Sequence, residues 1–226
     1  MNQIAQNLEA VKRRITAAAR RAGRGPEQVR LVAVSKTMPV ERLQEAVAAG
    51  QHLFGENYLQ EARGKIEALG EAATWHFIGH LQSNKAKAAV KLFELIHGVD
   101  RLKLAEALDR AAAAKEISQK ILIQVNLAKE ASKSGTSLEA AADLLRQISQ
   151  LPHLRVMGLM TMPPFLEPEA VRPYFRSLRE LRDRLQDLQG NPLPELSMGM
   201  SGDFEVAIEE GATLVRVGTA IFGSRV

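Results

Sequence analysis

After residue 25, short β-rich runs alternate with longer helical patterns, and this alternation constrains the fold more than any other feature of the chain. It is typical of a parallel sheet built from βα units. Eight runs are predicted as strands, at 31–35, 52–54, 75–78, 94–96, 121–125, 154–157, 195–197 and 214–217. Helical patterns are predicted between them at 40–49, 57–69, 102–114, 138–150 and 169–188.

Eight βα units in roughly 195 residues predict an α/β fold consisting of a single (β/α)8 barrel of the TIM type, close to the lower size limit of such barrels. An open, doubly wound sheet is the alternative, because the strands at 52–54, 94–96 and 195–197 are short. No linker rich in Ser, Gly or Pro divides the chain. We therefore expect residues 1–226 to form one domain, with residues 1–25 as an extra N-terminal helix packed on the barrel.

The positive charge of the chain is concentrated at its N-terminus. The whole sequence has a net charge of +4, whereas residues 1–30 hold seven Lys or Arg and two Glu. Ile4, Leu8, Val11 and Ile15 repeat at helical spacing and leave the basic residues mostly on the other face. We interpret these cations as a solvated helix face, with an anionic partner as the alternative. Aromatic residues are only 4% of the chain and none interrupts the basic stretch, so we expect no nucleic-acid partner.

The composition excludes several classes of protein. The chain has no Cys, which excludes disulfide-stapled domains, thiolate nucleophiles and Cys-ligated zinc. No apolar run approaches the roughly 18 residues that span a bilayer, and the N-terminus lacks a signal-peptide pattern. We expect a cytoplasmic protein without membrane contact, and a monomer by default.

His76 and His80 are four residues apart, but Gly79 and the strand before it break the helical spacing, so we expect no metal site.

Lys36 follows the first predicted strand, where a barrel places its functional residues. Strand alternation puts its side chain on the same face as Val32 and Val34, toward the barrel interior. Desolvation among apolar neighbours lowers the pKa of a lysine and exposes the neutral amine that attacks a carbonyl carbon. Lys36 is therefore a candidate Schiff-base former. The alternative is a lysine that extends to solvent or pairs with an acid.

Two glycine-bearing loops follow the seventh and eighth predicted strands, where barrels often hold a phosphate group. The first contains Gly199, Ser201 and Gly202, and the second contains Gly218 and Thr219. Glycine allows the backbone to approach an anion closely, and the two hydroxyls add hydrogen bonds. We predict a phosphate site at Ser201, Gly218 and Thr219, although either loop alone could be an ordinary helix cap. A serine hydrolase is not predicted, because the first loop lacks G-x-S-x-G spacing.

Arg216 lies in an apolar strand directly before the second glycine loop. A guanidinium in such a strand needs a partner. The partner is either an acid such as Glu209 or Glu210 in a buried ion pair, or a ligand acceptor in the barrel mouth. A phosphorylated aldehyde that also carries a ring acceptor would engage Lys36, the two glycine loops and Arg216 together.

Further residues follow other predicted strands at the same end. Asn57 and His80 could line the mouth; the alternative is that they cap the next helix or hydrogen-bond a loop. Asn57 is retained as a candidate binding residue. Lys133 is either a second anion contact or an exposed loop lysine. Tyr58 could approach the mouth, whereas Tyr174 lies on a helix with apolar neighbours.

Six ordered segments run along nearly the whole chain: VAVSKT (32–37), FGENY (54–58), WHFIGHLQSNK (75–85), MGLMTM (157–162), LSMGMS (196–201) and VRVGTAIFG (215–223). Together they resemble the pyridoxal phosphate homeostasis proteins, whose fold is similar to the N-terminal barrel of alanine racemase. The resemblance implies that pyridoxal 5′-phosphate (PLP) forms a Schiff base with Lys36. It also implies that Ser201, Gly218 and Thr219 hold the phosphate and that Arg216 meets the pyridine nitrogen.

The family resemblance further implies a carrier that buffers PLP and takes part in vitamin B6 and amino-acid or keto-acid balance, without an established reaction of its own. Apo forms of PLP-dependent enzymes are candidate partners. An arginine cannot accept the proton that makes the cofactor ring an electron sink. A racemase-like amino-acid enzyme, with Lys36 as base and Tyr58 opposite, is the first alternative. A Schiff-base aldolase that acts on a sugar phosphate without a cofactor is the second.

Overall fold

The structure is a computed structural model that describes residues 2–128, 130 and 134–223. Eight parallel strands form a closed barrel in sequential order. The strands are β1 (Arg30–Val34), β2 (Leu53–Glu56), β3 (Thr74–Phe77), β4 (Leu95–Val99), β5 (Gln119–Val125), β6 (Leu154–Thr161), β7 (Glu195–Ser197) and β8 (Leu214–Val217). The predicted (β/α)8 barrel is confirmed, and the open sheet is wrong, because β8 pairs with β1 from Arg30↔Leu214 to Ala33↔Val217.

Helices cover the outer face of the barrel. They are α1 (Gln3–Arg21), α2 (Val40–Ala48), α3 (Leu59–Leu69), α4 (Ala86–Leu92), α5 (Leu102–Ala113), α6 (Ala141–Ile148), α7 (Pro168–Gln189), α8 (Phe204–Glu209) and α9 (Thr219–Phe222). Short 3-10 turns lie at Pro26–Gln28, Gly70–Ala72 and Ser83–Lys85. None of the described helices is both long and apolar enough to cross a bilayer.

The strands separate two apolar layers. The inner layer fills the barrel and consists of Val32, Leu95, Leu122, Met160 and Leu214, with Leu53 and Met157 packed against it. The outer layer lies between sheet and helices, where for example the rings of Phe54 and Trp75 stack with centroids 5.3 Å apart. Because side chains alternate along a strand, residues two positions after an inner residue also face the interior. Polar side chains at such positions form the site described below.

Helix α1 packs its apolar face against α2, α8 and α9. Ile4, Leu8, Val11, Ile15, Ala18 and Ala19 are buried. Several of its cations are bound within the molecule: Lys12 Nζ donates to Gly50 O, Arg14 pairs with Glu205, and Arg21 pairs with Glu209. The interpretation of the basic residues as an ordinary helix face is therefore favoured over an anionic partner.

Candidate functional site

Lys36 shares a small cavity at the carboxyl end of the barrel with the loop after β8. The cavity has a volume of about 30 Å³ and is lined by Val34, Lys36, Met38, Gly218, Thr219, Phe222 and Gly223. Strand β1 ends at Val34, one residue before the predicted end, because pairing with β2 ends at Val34↔Gly55. Lys36 follows the strand, as predicted, and lies in the turn after it. Its half-buried side chain nevertheless lies beside Val34, on the predicted side.

The two glycine loops meet at Ser201. The backbone N–H groups of Gly218 and Ala220 both donate to Ser201 Oγ, at 3.3 and 3.4 Å. A Cβ on Gly218 would lie 3.3 Å from Val34 Cβ and from Val34 O, a tight contact, so glycine eases the close passage of the loop along β1. Ser201 Oγ uses both N–H groups, and its own proton remains to donate to an anionic oxygen beside the Lys36 cavity.

The loop after β8 is held from outside by two helices. Asn7 of α1 donates through Nδ2 to Ile221 O at 2.8 Å, and Arg42 of α2 donates to Phe222 O at 2.9 Å. Both acceptors are carbonyl groups of α9, the turn that carries Thr219. The N-terminal helix therefore supports the loop that the sequence predicts as a phosphate site.

Arg216 faces the barrel interior and is buried, with 4% of its surface exposed. Its Nη1 donates to Ser197 Oγ at 2.6 Å and its Nη2 donates to Thr161 O at 3.0 Å. Burial lowers the pKa of Arg216 to about 10, so the group stays cationic at neutral pH. The predicted alternative of an ion pair with Glu209 or Glu210 is wrong. Those two carboxylates pair with Arg172 on the outer surface, since α8 carries them away from the interior.

A hydrogen-bonded chain of buried side chains continues from Arg216 across the barrel. His97 Nδ1 lies 2.8 Å from Ser197 Oγ, and His97 Nε2 lies 3.0 Å from His76 Nδ1. Arg216 can only donate, so Ser197 Oγ is its acceptor. The tautomer of His97 sets which partner donates in the other two bonds, and burial keeps both rings neutral. This arrangement fixes Ser197 as an acceptor for Arg216.

Sequence reasoning missed Ser197 and His97. A polar residue at an inward position of a buried strand is the signal that could have found them. His76 was considered only as a metal ligand together with His80. Among the residues that the structure describes, no group of three or more His, Asp or Glu is placed to hold a metal ion.

The buried histidine pair predicts a loss of stability in mild acid. Burial lowers the pKa of His76 from 6.5 to about 3 and that of His97 well below its usual value. Between pH 6.5 and 3 the unfolded chain therefore binds protons that the folded protein does not, so stability is complete above pH 6.5 and falls as the pH decreases. For His76 alone we expect a loss of about 2 kcal/mol at pH 5.

Urea unfolding at pH 7 and pH 5 measures this loss. His76→Asn retains an acceptor for His97 and should show a smaller decrease in the free energy of unfolding between the two pH values. His52→Asn, at an exposed histidine, should keep the wild-type decrease. Equal decreases in all three proteins would contradict the prediction.

The structure describes three of the remaining candidates, which are Asn57, Tyr58 and His80. Asn57 is half-buried, and its Oδ1 is a buried acceptor without a hydrogen-bond partner in the described part of the chain. The helix-cap alternative for Asn57 is not observed, because Tyr58 precedes α3 and no side chain caps that helix.

Tyr58 is 60% exposed. His80 is exposed and its Nδ1 lies 3.0 Å from Ser134 Oγ, which is the predicted loop contact. Lys133 lies outside the described residues.

Comparisons with known proteins identify the relatives of this chain. The sequence model of the alanine racemase N-terminal domain matches residues 6–226. The pyridoxal phosphate homeostasis protein of Aquifex aeolicus is 49% identical over 222 residues, which are 97% of each chain. PipY of Synechococcus elongatus, solved with PLP bound, is 40% identical with a TM-score of 0.85, over 98% of this chain and 100% of that chain.

One solved structure shares the fold of this chain at low sequence identity. Alanine racemase of Corynebacterium glutamicum has a TM-score of 0.69 at 19% identity, and the match covers 96% of this chain but 62% of the racemase. This likeness concerns the barrel fold alone. With the closed barrel, the matching domain model and relatives near half identity over their whole length, the chain belongs to the pyridoxal phosphate homeostasis protein family.

Proposed function

We propose that this protein binds PLP covalently through Lys36 and serves as a carrier of the cofactor, without a reaction of its own. The observation that carries the proposal is the convergence of a half-buried lysine, a serine hydroxyl held by two backbone N–H groups and a buried cation at one end of the barrel. The PLP-bound structure of PipY supports it, because that protein is similar over nearly its entire length.

Three features of the site fit PLP. Ser201 Oγ accepts from the N–H groups of Gly218 and Ala220, so its own hydroxyl proton remains to donate to a phosphate oxygen. Arg216 is buried and retains its charge, so it can donate to a ring nitrogen. Asn57 Oδ1 is a buried acceptor that a donor on a bound ligand would satisfy.

Each residue has a separate role in this proposal. Lys36 supplies the amine, Ser201, Gly218 and Thr219 bind the phosphate, and Arg216 faces the pyridine nitrogen. When bound, PLP supplies an aldehyde that bonds reversibly to amines. Arg216 has no acceptor atom and remains cationic, so it keeps the ring nitrogen unprotonated. That disfavours the electron withdrawal on which amino-acid chemistry depends and favours simple storage of the cofactor.

The exposure of Tyr58 supports a carrier over a racemase. A second acid or base opposite Lys36 would need to be held in the site, whereas Tyr58 is 60% exposed at the start of α3. We propose that apo forms of PLP-dependent enzymes receive the cofactor. The cytoplasmic location and the monomeric state stay predictions from the sequence.

Absorption spectroscopy with chemical trapping tests the proposal. Addition of PLP should give the purified protein a yellow absorption band, and borohydride should remove the band and fix the cofactor mass on the Lys36 peptide. A protein that stays colourless would contradict the proposal and favour the aldolase. The loaded protein should also leave the Cα hydrogen of added amino acids unexchanged in deuterated water. Exchange with turnover would instead favour the racemase.

A further inference from the structure

Lys65 lies at the outer side of the barrel rim, directly behind the Lys36 turn. Its side chain extends from α3 and is 5% exposed, which is unusual for a lysine on a surface helix. Its Nζ donates to Ser35 O at 2.7 Å, to Glu56 Oε1 at 2.7 Å and to Glu61 Oε1 at 2.5 Å. All three ammonium protons are therefore used, and no other side chain offers three donors from one atom.

This ion cluster holds the backbone on both sides of Lys36. On one side, the Ser35 carbonyl accepts from Lys65, and the Ser35 hydroxyl donates to Glu56 at 2.7 Å. On the other side, Glu61 Oε1 accepts from the Thr37 N–H. Glu56 is fully buried, and desolvation raises the pKa of its carboxyl group, which the bonds from Lys65 and Ser35 oppose.

The backbone held in this way has an unfavourable conformation. Thr37 has φ of +65°, in the left-handed region, and it is one of two non-glycine residues with positive φ in the described part of the chain. β-branched residues rarely adopt this region. Such strain persists only where surrounding contacts over-determine the conformation. Lys65 and Glu61 supply these contacts, one on each side of Lys36.

We infer that Lys65 is a positioning residue, which acts through Ser35 and Glu61 to hold the Lys36 amine in the cavity beside Gly218. The inference rests on the proposed function, because it concerns how readily Lys36 bonds to the aldehyde of PLP. Ser35 and Glu56 both contact Lys65 of α3, whereas Lys36 lines the cavity. Loss of Lys65 should therefore weaken the covalent step and spare the phosphate and ring contacts.

The test compares covalent attachment with non-covalent binding. In Lys65→Met, attachment of PLP to Lys36 should be at least about tenfold slower, because misplacement of a reacting group is costly in rate. The rate is followed by absorbance, and the site by borohydride reduction and peptide mass mapping. Pyridoxine 5′-phosphate has the same phosphate and ring but an alcohol in place of the aldehyde, and its dissociation constant should stay within about threefold of wild type. Lys87→Met, at an exposed lysine of α4, is the matched control and should behave as wild type.

A second variant keeps the test decisive if Lys65→Met does not fold. Glu61→Ala removes the acceptor of the Thr37 N–H at a position that is 28% exposed, and it should also slow attachment. Wild-type rates in the folded variants would overturn the inference and leave the proposed function intact. An equal loss of pyridoxine 5′-phosphate affinity would overturn it too, since general damage would then explain the effect. Absence of attachment in the wild-type protein would instead refute the proposed function.

Discussion

A Ser201→Asp variant is expected to bind PLP about 100-fold more weakly than the wild-type protein, because like charges placed together cost several kcal/mol. Ser201 Oγ already accepts from the N–H groups of Gly218 and Ala220. A carboxylate at this position would accept the same two donors and repel a phosphate dianion. Equilibrium titration followed by absorbance or fluorescence measures the dissociation constant.

Two controls assign this loss to the phosphate. Ser201→Ala removes the hydroxyl without adding charge, and we expect a loss of about tenfold or less. Pyridoxal carries the same aldehyde and ring without a phosphate, so its affinity should be nearly equal in the wild-type protein and in Ser201→Asp. A similar loss for pyridoxal and PLP would place the phosphate elsewhere and refute the proposed role of Ser201.

The barrel could be predicted because its strands are short apolar runs bounded by turn residues. The predicted strands at 195–197 and 214–217 agree with β7 and β8. Helix α4 was missed, because it has only seven residues and its buried positions are two Ala and one Val, which give a weak hydrophobic signal. Strand β6 continues to Thr161, four residues past the predicted end, because long pairing with β5 overrides the local signal at Gly158.

The approximate position of the site could also be predicted, but the contacts that hold it could not. Barrel topology alone brings the turn after β1 and the loops after β7 and β8 to one mouth. The partners of Arg216 come from β6 and β7, and His97 of β4 reaches it through Ser197, so predicting this chain requires the inward register of each strand at once. Lys65 resembles an exposed helix lysine in the sequence. Only the packing of α3 over β1 and β2 buries it.

Gly158→Ala is expected to destabilise the fold by about 3 kcal/mol or more, from overpacking and backbone strain combined. Gly158 pairs with Glu195 of β7 next to a shift in the β5–β6 register. Its φ is +153°, and a Cβ there would lie 1.9 Å from Glu195 O. The backbone of Glu195 would have to move, although its side chain is held by Arg30 and Thr213 at 2.6 Å each. The sheet therefore has little freedom to accommodate a methyl group.

Gly64→Ala is the matched control for this substitution. Gly64 lies inside α3, and a Cβ there would meet nothing within 4 Å. Alanine in an exposed helix should therefore stabilise the protein by up to about 1 kcal/mol. Urea unfolding of the two variants and the wild type measures the contrast at one pH. If Gly158→Ala lost less than about 1 kcal/mol, β6 and β7 would be able to separate at small cost. Close approach of these strands would then not be what requires glycine at this position.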